Sequence, residues 1–201
     1  MKVSPAAAND FPNEGSSSHY YVARQTDASP LQSNGQQEKF LFYRGVGDFD
    51  PPIRATAGAG GRVTVESASD DPIGDVILFN NDRGATAWQV RYGADRRVSF
   101  DPLSEEGEIP PPHIELGQML MTHGLYSREA QAMIDTWRDT WFGDGTRLFY
   151  IVPHATIDSI LPLEINPNPT ETVRVFVGRI ELDRTSIATA VQQSAVTRCR
   201  Q

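Results

Sequence analysis

Residues 124–153 read GLYSREAQAMIDTWRDTWFGDGTRLFYIVP, and they hold two elements whose apolar patterns require each other. In the first half, Ser127 offers an N-cap, Glu129 sits in the first turn where the helix dipole favours an acid, and Gly143 follows the last periodic position. The spacing predicts a helix over Arg128–Phe142. Its apolar residues Ala130, Met133, Ile134, Trp137 and Trp141 fall on one face. The second half, Leu148-Phe149-Tyr150-Ile151-Val152, has no polar position. Strand side chains alternate between faces, so a strand apolar on both is a central one covered on both sides. A two-layer sandwich leaves one face of each sheet in water, and the helix is the natural cover for that face.

The same signature recurs upstream in Val76-Ile77-Leu78-Phe79. In Thr86 to Tyr92, by contrast, Trp88, Val90 and Tyr92 alternate with Gln89 and Arg91, the pattern of a half-buried strand. The loop Asn81-Asp82-Arg83-Gly84-Ala85 carries residues that tolerate positive φ and should make these two runs an antiparallel hairpin. Further strand-like runs are Tyr20–Gln25, Lys39–Tyr43, Arg62–Glu66 and Val173–Leu182. In the last of these the period-2 phase slips at Gly178, which predicts a β-bulge. His113–His123, after the prolines at 110–112 and before Gly124, reads as a second helix, giving a helical hairpin over 113–142. One helical turn capped by Thr156 is expected over Thr156–Leu161, and an amphipathic helix over Thr185–Val196. The fold class is therefore mainly β (α+β): an antiparallel sandwich-like sheet with an inserted helical hairpin and a short C-terminal helix. Residues 1–18 read as a linker or tail and 19–201 as a single domain.

The totals exclude several functions. Against 26 acidic residues stand 18 basic ones, of which only Lys2 and Lys39 are lysines, and the net charge is −8. A phosphate-tracking surface needs clustered cations, yet no basic cluster exceeds Arg96-Arg97. Nucleic acid is not expected as a partner. No run approaches the roughly 20 apolar residues of a spanning helix, so no membrane insertion by this segment is expected. The first 18 residues have no secretion signal of their own. Cys199 is the single cysteine, which excludes an internal disulfide and a cysteine-based zinc site.

No assembled catalytic motif is present. The G-x-S-x-G elbow of α/β hydrolases does not occur. His154, Asp158 and Ser159 lie together after a central strand and could belong to a hydrolytic site, but a surface histidine is the plainer reading, because triads are defined by geometry and not by proximity in sequence. His19, His113, His123 and His154 show no metal-binding spacing. His113 and His123 on one helix would stand ~15 Å apart along its axis, too far for one ion. Glu66, Asp70, Asp71 and Asp75 lack the calcium-loop pattern, and a solvated loop explains them. Gly58-Ala59-Gly60-Gly61 and Gly45-x-Gly47 match no phosphate-binding loop and read as turns. Glu164 and Glu181 read as surface charges and not a glycosidase pair. No metal and no cofactor is implied. The candidate ligand-binding residues are aromatic: Trp88 and Tyr92 on the strand, Trp137 and Trp141 on the helix. Each could stack on a sugar, while core packing is the more ordinary use of such rings.

Several longer strings occur in order along the chain: HYYVARQTDASPL (19–31), EKFLFYRGVG (38–47), DPIGDVILFNN (71–81), GLYSREAQAMIDTWRDTWF (124–142), TRLFYIVP (146–153) and, within 160–182, ILPLEINPNP and VRVFVGRIEL. They resemble a family of uncharacterised exported bacterial proteins whose longer chains end in a segment of this kind. The resemblance covers residues 10–185. It implies a C-terminal domain cut from a precursor, an extracytoplasmic location (periplasmic or secreted), and a preceding domain of the same precursor as a possible neighbour. It brings no activity, substrate or catalytic residue. The function expected is a non-catalytic binding or structural domain, with a carbohydrate-binding module and a hydrolase with a dispersed site as alternatives.

Overall fold

The computed structural model describes residues 4–5, 11, 18–42, 45–103 and 110–182. Its strands are β1 (Ser4–Pro5), β2 (Leu31–Ser33), β3 (Gln36–Glu38), β4 (Ile53–Ala57), β5 (Val63–Ser67), β6 (Gly74–Asp82), β7 (Ala85–Ala94), β8 (Arg97–Phe100), β9 (Gly145–Ile151) and β10 (Val177–Leu182). The helices are α1 (Pro112–Thr122), α2 (Ser127–Trp141) and α3 (His154–Ile160), with a 3-10 helix over His19–Gln25. The fold is α+β, with antiparallel sheets ordered β10-β9-β6-β7, β4-β5-β8 and β1-β2-β3.

The four-stranded sheet is the middle layer, and the alternation of its side chains shows why. From β6, Val76 and Leu78 point into a core shared with Ile53, Val63 and Val65 of the β4-β5-β8 sheet and with Phe100 at the end of β8. Ile77 and Phe79, one residue out of phase, point into a second core with Leu116, Met119 and Leu120 of α1 and Ala130 and Ile134 of α2. Strand β9 divides likewise: Leu148 and Tyr150 go to the first core, Phe149 and Ile151 to the second. Each large apolar side chain so buried contributes about 1.5–3 kcal/mol, and a strand polar on one face would forfeit half of that. The helical hairpin is the cover that the all-apolar strands required.

Helix α2 begins at Ser127, one residue before the sequence reading, because Tyr126 takes the cap position and its N–H donates to the Glu129 carboxylate at 2.9 Å. Gly124, at φ 107°, closes α1 as expected, and Leu125 N–H reaches back to the Leu120 carbonyl. The β6–β7 connection is tighter than the five residues expected. Arg83 and Gly84, both at positive φ, make a two-residue turn, and Asn81 Oδ1 accepts from Gly84 N–H. The Asn81 amide donates to the Phe142 carbonyl at 2.9 Å, fixing the end of α2 over the sheet.

Four expectations need correction. Tyr20–Gln25 is not a strand but lies in the 3-10 helix. Its start is set by Ser18, whose hydroxyl and carbonyl accept from Tyr20 N–H and Tyr21 N–H. Helical spacing then lays the Arg24 guanidinium over the Tyr21 ring, 4.0 Å from its centre. Lys39–Phe42 joins no sheet, because Phe42 packs on Tyr20 and Trp137 instead; Tyr43 lies outside the described residues. Strand β10 starts only at Val177, and Gly178 is not a bulge: its register with β9 runs without interruption from Val177↔Ile151 to Leu182↔Thr146. The phase slip reflects burial on both faces, with Val175 and Val177 against the helical core and Ile180 and Leu182 against the other. Finally, α3 starts at His154 with Pro153 before it, so Thr156 is inside the helix. The register irregularity of the sheet falls instead between Gly74 and Val76. Within residues 1–18, Ser4–Pro5 pairs with Leu31–Gln32 and the Phe11 ring lies under Arg24. The helix expected over Thr185–Val196 lies outside the described residues.

Candidate functional site

The four candidate aromatics divide by burial. Trp141 is buried in the helical core beside Phe149. Trp88 is half-buried against the same core, and its indole N–H is enclosed without a partner among the described residues. Tyr92 is exposed, but its hydroxyl donates to the carboxylate of Glu115, a residue of α1 that is itself buried. Trp137 lies parallel to Trp141, with ring centres 6.3 Å apart, and faces outward from it.

What Trp137 faces is a cavity of ≈ 260 Å³ between α2, the 3-10 helix and the 39–42 segment. Three elements build it. Helix α2 supplies Ala132, Met133 and Trp137 at helical spacing, and the 3-10 helix supplies Tyr20 and Ala23. Lys39–Phe42 closes the third side, with Phe42 4.5 Å from the Tyr20 ring and 6.4 Å from Trp137, centre to centre. The floor is apolar, and polar groups stand around it. Lys39 Nζ donates to the Thr26 carbonyl at 2.8 Å, the Thr26 hydroxyl to the Ala23 carbonyl, and Glu129 holds the start of α2. Sequence reasoning found Trp137 but missed Tyr20, Lys39 and Phe42, whose stretches read as strands. The available signal was the weight of aromatics at 19–21 and 40–43, which a peripheral segment has little reason to carry unless it docks.

A second cavity, ≈ 330 Å³, lies beside α3 and is lined by His154, Asp158, Glu164, Asn168, Thr172 and Arg174 among others. Asp158 is shared: Oδ2 lies 3.0 Å from His154 Nδ1, and Oδ1 accepts from Arg174 at 2.7 Å. Ser159 does not join them, since its hydroxyl donates to the Thr156 carbonyl at 2.9 Å. The cluster is therefore His154, Asp158 and Arg174, and Ser159 is not presented to the imidazole as a nucleophile.

The other sequence candidates are absorbed by structure. Glu66 pairs with Arg97 directly across the β5–β8 ladder, and Asp70 pairs with Arg96. Two of the four acids thus pair with Arg96 and Arg97. Asp75 accepts from Gly93 N–H and meets His123 Nε2 at 3.3 Å, joining the sheet to the end of α1. His113, at the opposite end of α1, packs on Phe142. Burial first, then the Arg138 charge, lower its pKa from 6.5, against a smaller opposing effect of Asp135. Glu181 pairs with Arg147 and Arg179. The Gly58–Gly61 run makes the β4–β5 turn, with Gly60 and Gly61 at positive φ. Among the described residues no three metal-ligating side chains come together, and no helix is long and apolar enough to cross a membrane. Comparisons with protein families, with curated proteins and with solved structures found no match.

Proposed function

We propose that this chain is a non-catalytic binding domain and that its ligand occupies the cavity between α2 and the 3-10 helix. The observation carrying this reading is an apolar cleft of ≈ 260 Å³ walled by Tyr20, Phe42 and Trp137 and rimmed by a few polar groups, the usual make-up of a small-molecule site. A carbohydrate module has less support, because a sugar platform needs open, flat rings. Trp141 is buried, and the one widely exposed ring of the four, Tyr92, has its hydroxyl held by Glu115. A hydrolytic site has less support too, because Ser159, the hydroxyl next to Asp158 in sequence, donates to the Thr156 carbonyl instead.

Anilinonaphthalene sulfonate, whose emission rises in apolar clefts, tests the site. The native domain should enhance its fluorescence, and Ala28→Leu, which fills the cavity wall, should abolish the enhancement while leaving the urea midpoint unchanged. Equal enhancement by parent and variant would sink the assignment. The reading also places the domain outside the cytoplasm, behind a preceding domain of the same precursor. Its support is the resemblance of the ordered strings between residues 19 and 182 to a family of exported bacterial proteins. Cell fractionation checks it, and recovery from the cytoplasm alone would refute it.

A further inference from the structure

We infer that the ligand of this cavity is a free α-amino acid with an apolar or aromatic side chain. The inference rests on the binding reading above and adds the chemical class.

Size comes first. At ≈ 260 Å³ the space is smaller than the roughly 300–1,000 Å³ of drug-sized sites, but larger than the ~150 Å³ that admits benzene. It accommodates one side chain and little more. Ala23, Ala132, Met133 and the Trp137 ring make most of its wall apolar, which suits an apolar side chain better than a ring of hydroxyls.

Charge at the rim narrows the class. Lys39 has three ammonium donors and spends one on the Thr26 carbonyl. Glu129 spends Oε2 on Tyr126 N–H, and its Oε1 has no partner among the described residues. Lys39 and Glu129 line the same cavity yet form no ion pair with each other. An uncharged apolar ligand would partly desolvate both ions and satisfy neither, and partly buried charges left unpaired are costly. A carboxylate alone or an amine alone would satisfy one. A peptide terminus likewise carries only one of the two charges next to its terminal side chain. A ligand that meets a spare cation, a spare carboxylate and an apolar floor together carries both charges beside an apolar side chain, as a free α-amino acid does.

The experiment titrates the tryptophan fluorescence of the whole chain at pH 7 with four ligands sharing one ring: L-phenylalanine, 3-phenylpropionate, 2-phenylethylamine and benzyl alcohol. Phenylalanine should bind about tenfold or more tighter than either singly charged analogue, since one charge-assisted hydrogen bond is worth ~1.5–3 kcal/mol. Lys39→Met should bring phenylalanine down to the affinity of the amine, and Glu129→Gln, whose amide oxygen still accepts from Tyr126 N–H, to that of the acid. Benzyl alcohol binding as tightly as phenylalanine would overturn the amino-acid inference while leaving the cavity as the site. Failure of all four to bind would also overturn the amino-acid inference, and the binding reading falls with it only if the Ala28→Leu dye test fails as well.

Discussion

Gly178 is where a single methyl group does most damage. A Cβ built there would lie inside the van der Waals envelope of Tyr150 Cζ and Cε1 and 2.7 Å from Cε2. Tyr150 is 5% exposed and sits in the core between the two larger sheets, directly across from Gly178 in the β9–β10 register. The ring lies over the glycine, so Gly178→Ala must move either β10 or the tyrosine. Overpacking costs about 1–3 kcal/mol. Expelling the ring forfeits the burial of ~150–250 Å², about 4–6 kcal/mol at ~25 cal/mol/Å². The cheaper route wins, and the expected loss is about 1–3 kcal/mol. Urea unfolding of parent, Gly178→Ala, Tyr150→Leu and the double variant forms the test. If the ring is the obstacle, the alanine should cost at least ~1 kcal/mol less in the Tyr150→Leu background than in the parent. A Gly178→Ala variant within about 0.5 kcal/mol of the parent, or an equal penalty in both backgrounds, would refute the packing argument.

Three further outcomes follow from individual residues. Burial raises the Tyr150 pKa above 10.0, so the folded state holds that proton more tightly than the unfolded chain. Stability should be complete below pH ~10 and decline as pH rises toward the folded value, and Tyr150→Phe should flatten that decline in alkaline urea titrations; an unchanged slope would contradict it. His113 has its pKa lowered from 6.5: its contribution is present above that pH and is lost as pH falls toward the folded value. NMR titration should find it below 6.5, and His113→Gln should reduce the pH dependence of the urea midpoint between about pH 7.5 and 5.5. Arg147, 8% exposed within β9, donates to the carbonyls of Gly143 and Asp144 and to Glu181. Arg147→Met should cost about 2–4 kcal/mol by stranding those carbonyls, and Arg147→Lys should lose nearly as much because lysine lacks the planar fork; a lysine variant as stable as the parent would argue for simple charge.

The layering follows from the sequence alone. Two runs apolar at every position, Val76–Phe79 and Leu148–Val152, can be buried only between two covers, and the amphipathic stripe of α2 could dock nowhere else, so periodicity requires three layers. Turn positions were equally legible, since Gly84 and Gly124 stand at positive φ where few other residues are comfortable. The candidate site was not legible, apart from Trp137. The 19–25 and 39–42 stretches have the aromatic content of strands, but Ser18 starts a helical turn and Phe42 finds Tyr20 and Trp137 before it finds a strand partner. Gly178 was misread for a related reason: a phase slip along one strand looks the same whether a residue has been inserted or both faces are buried. Periodicity reports how a segment meets its own environment, face by face. Which distant segment provides that environment is decided by packing, and the cavity exists only where three such segments meet.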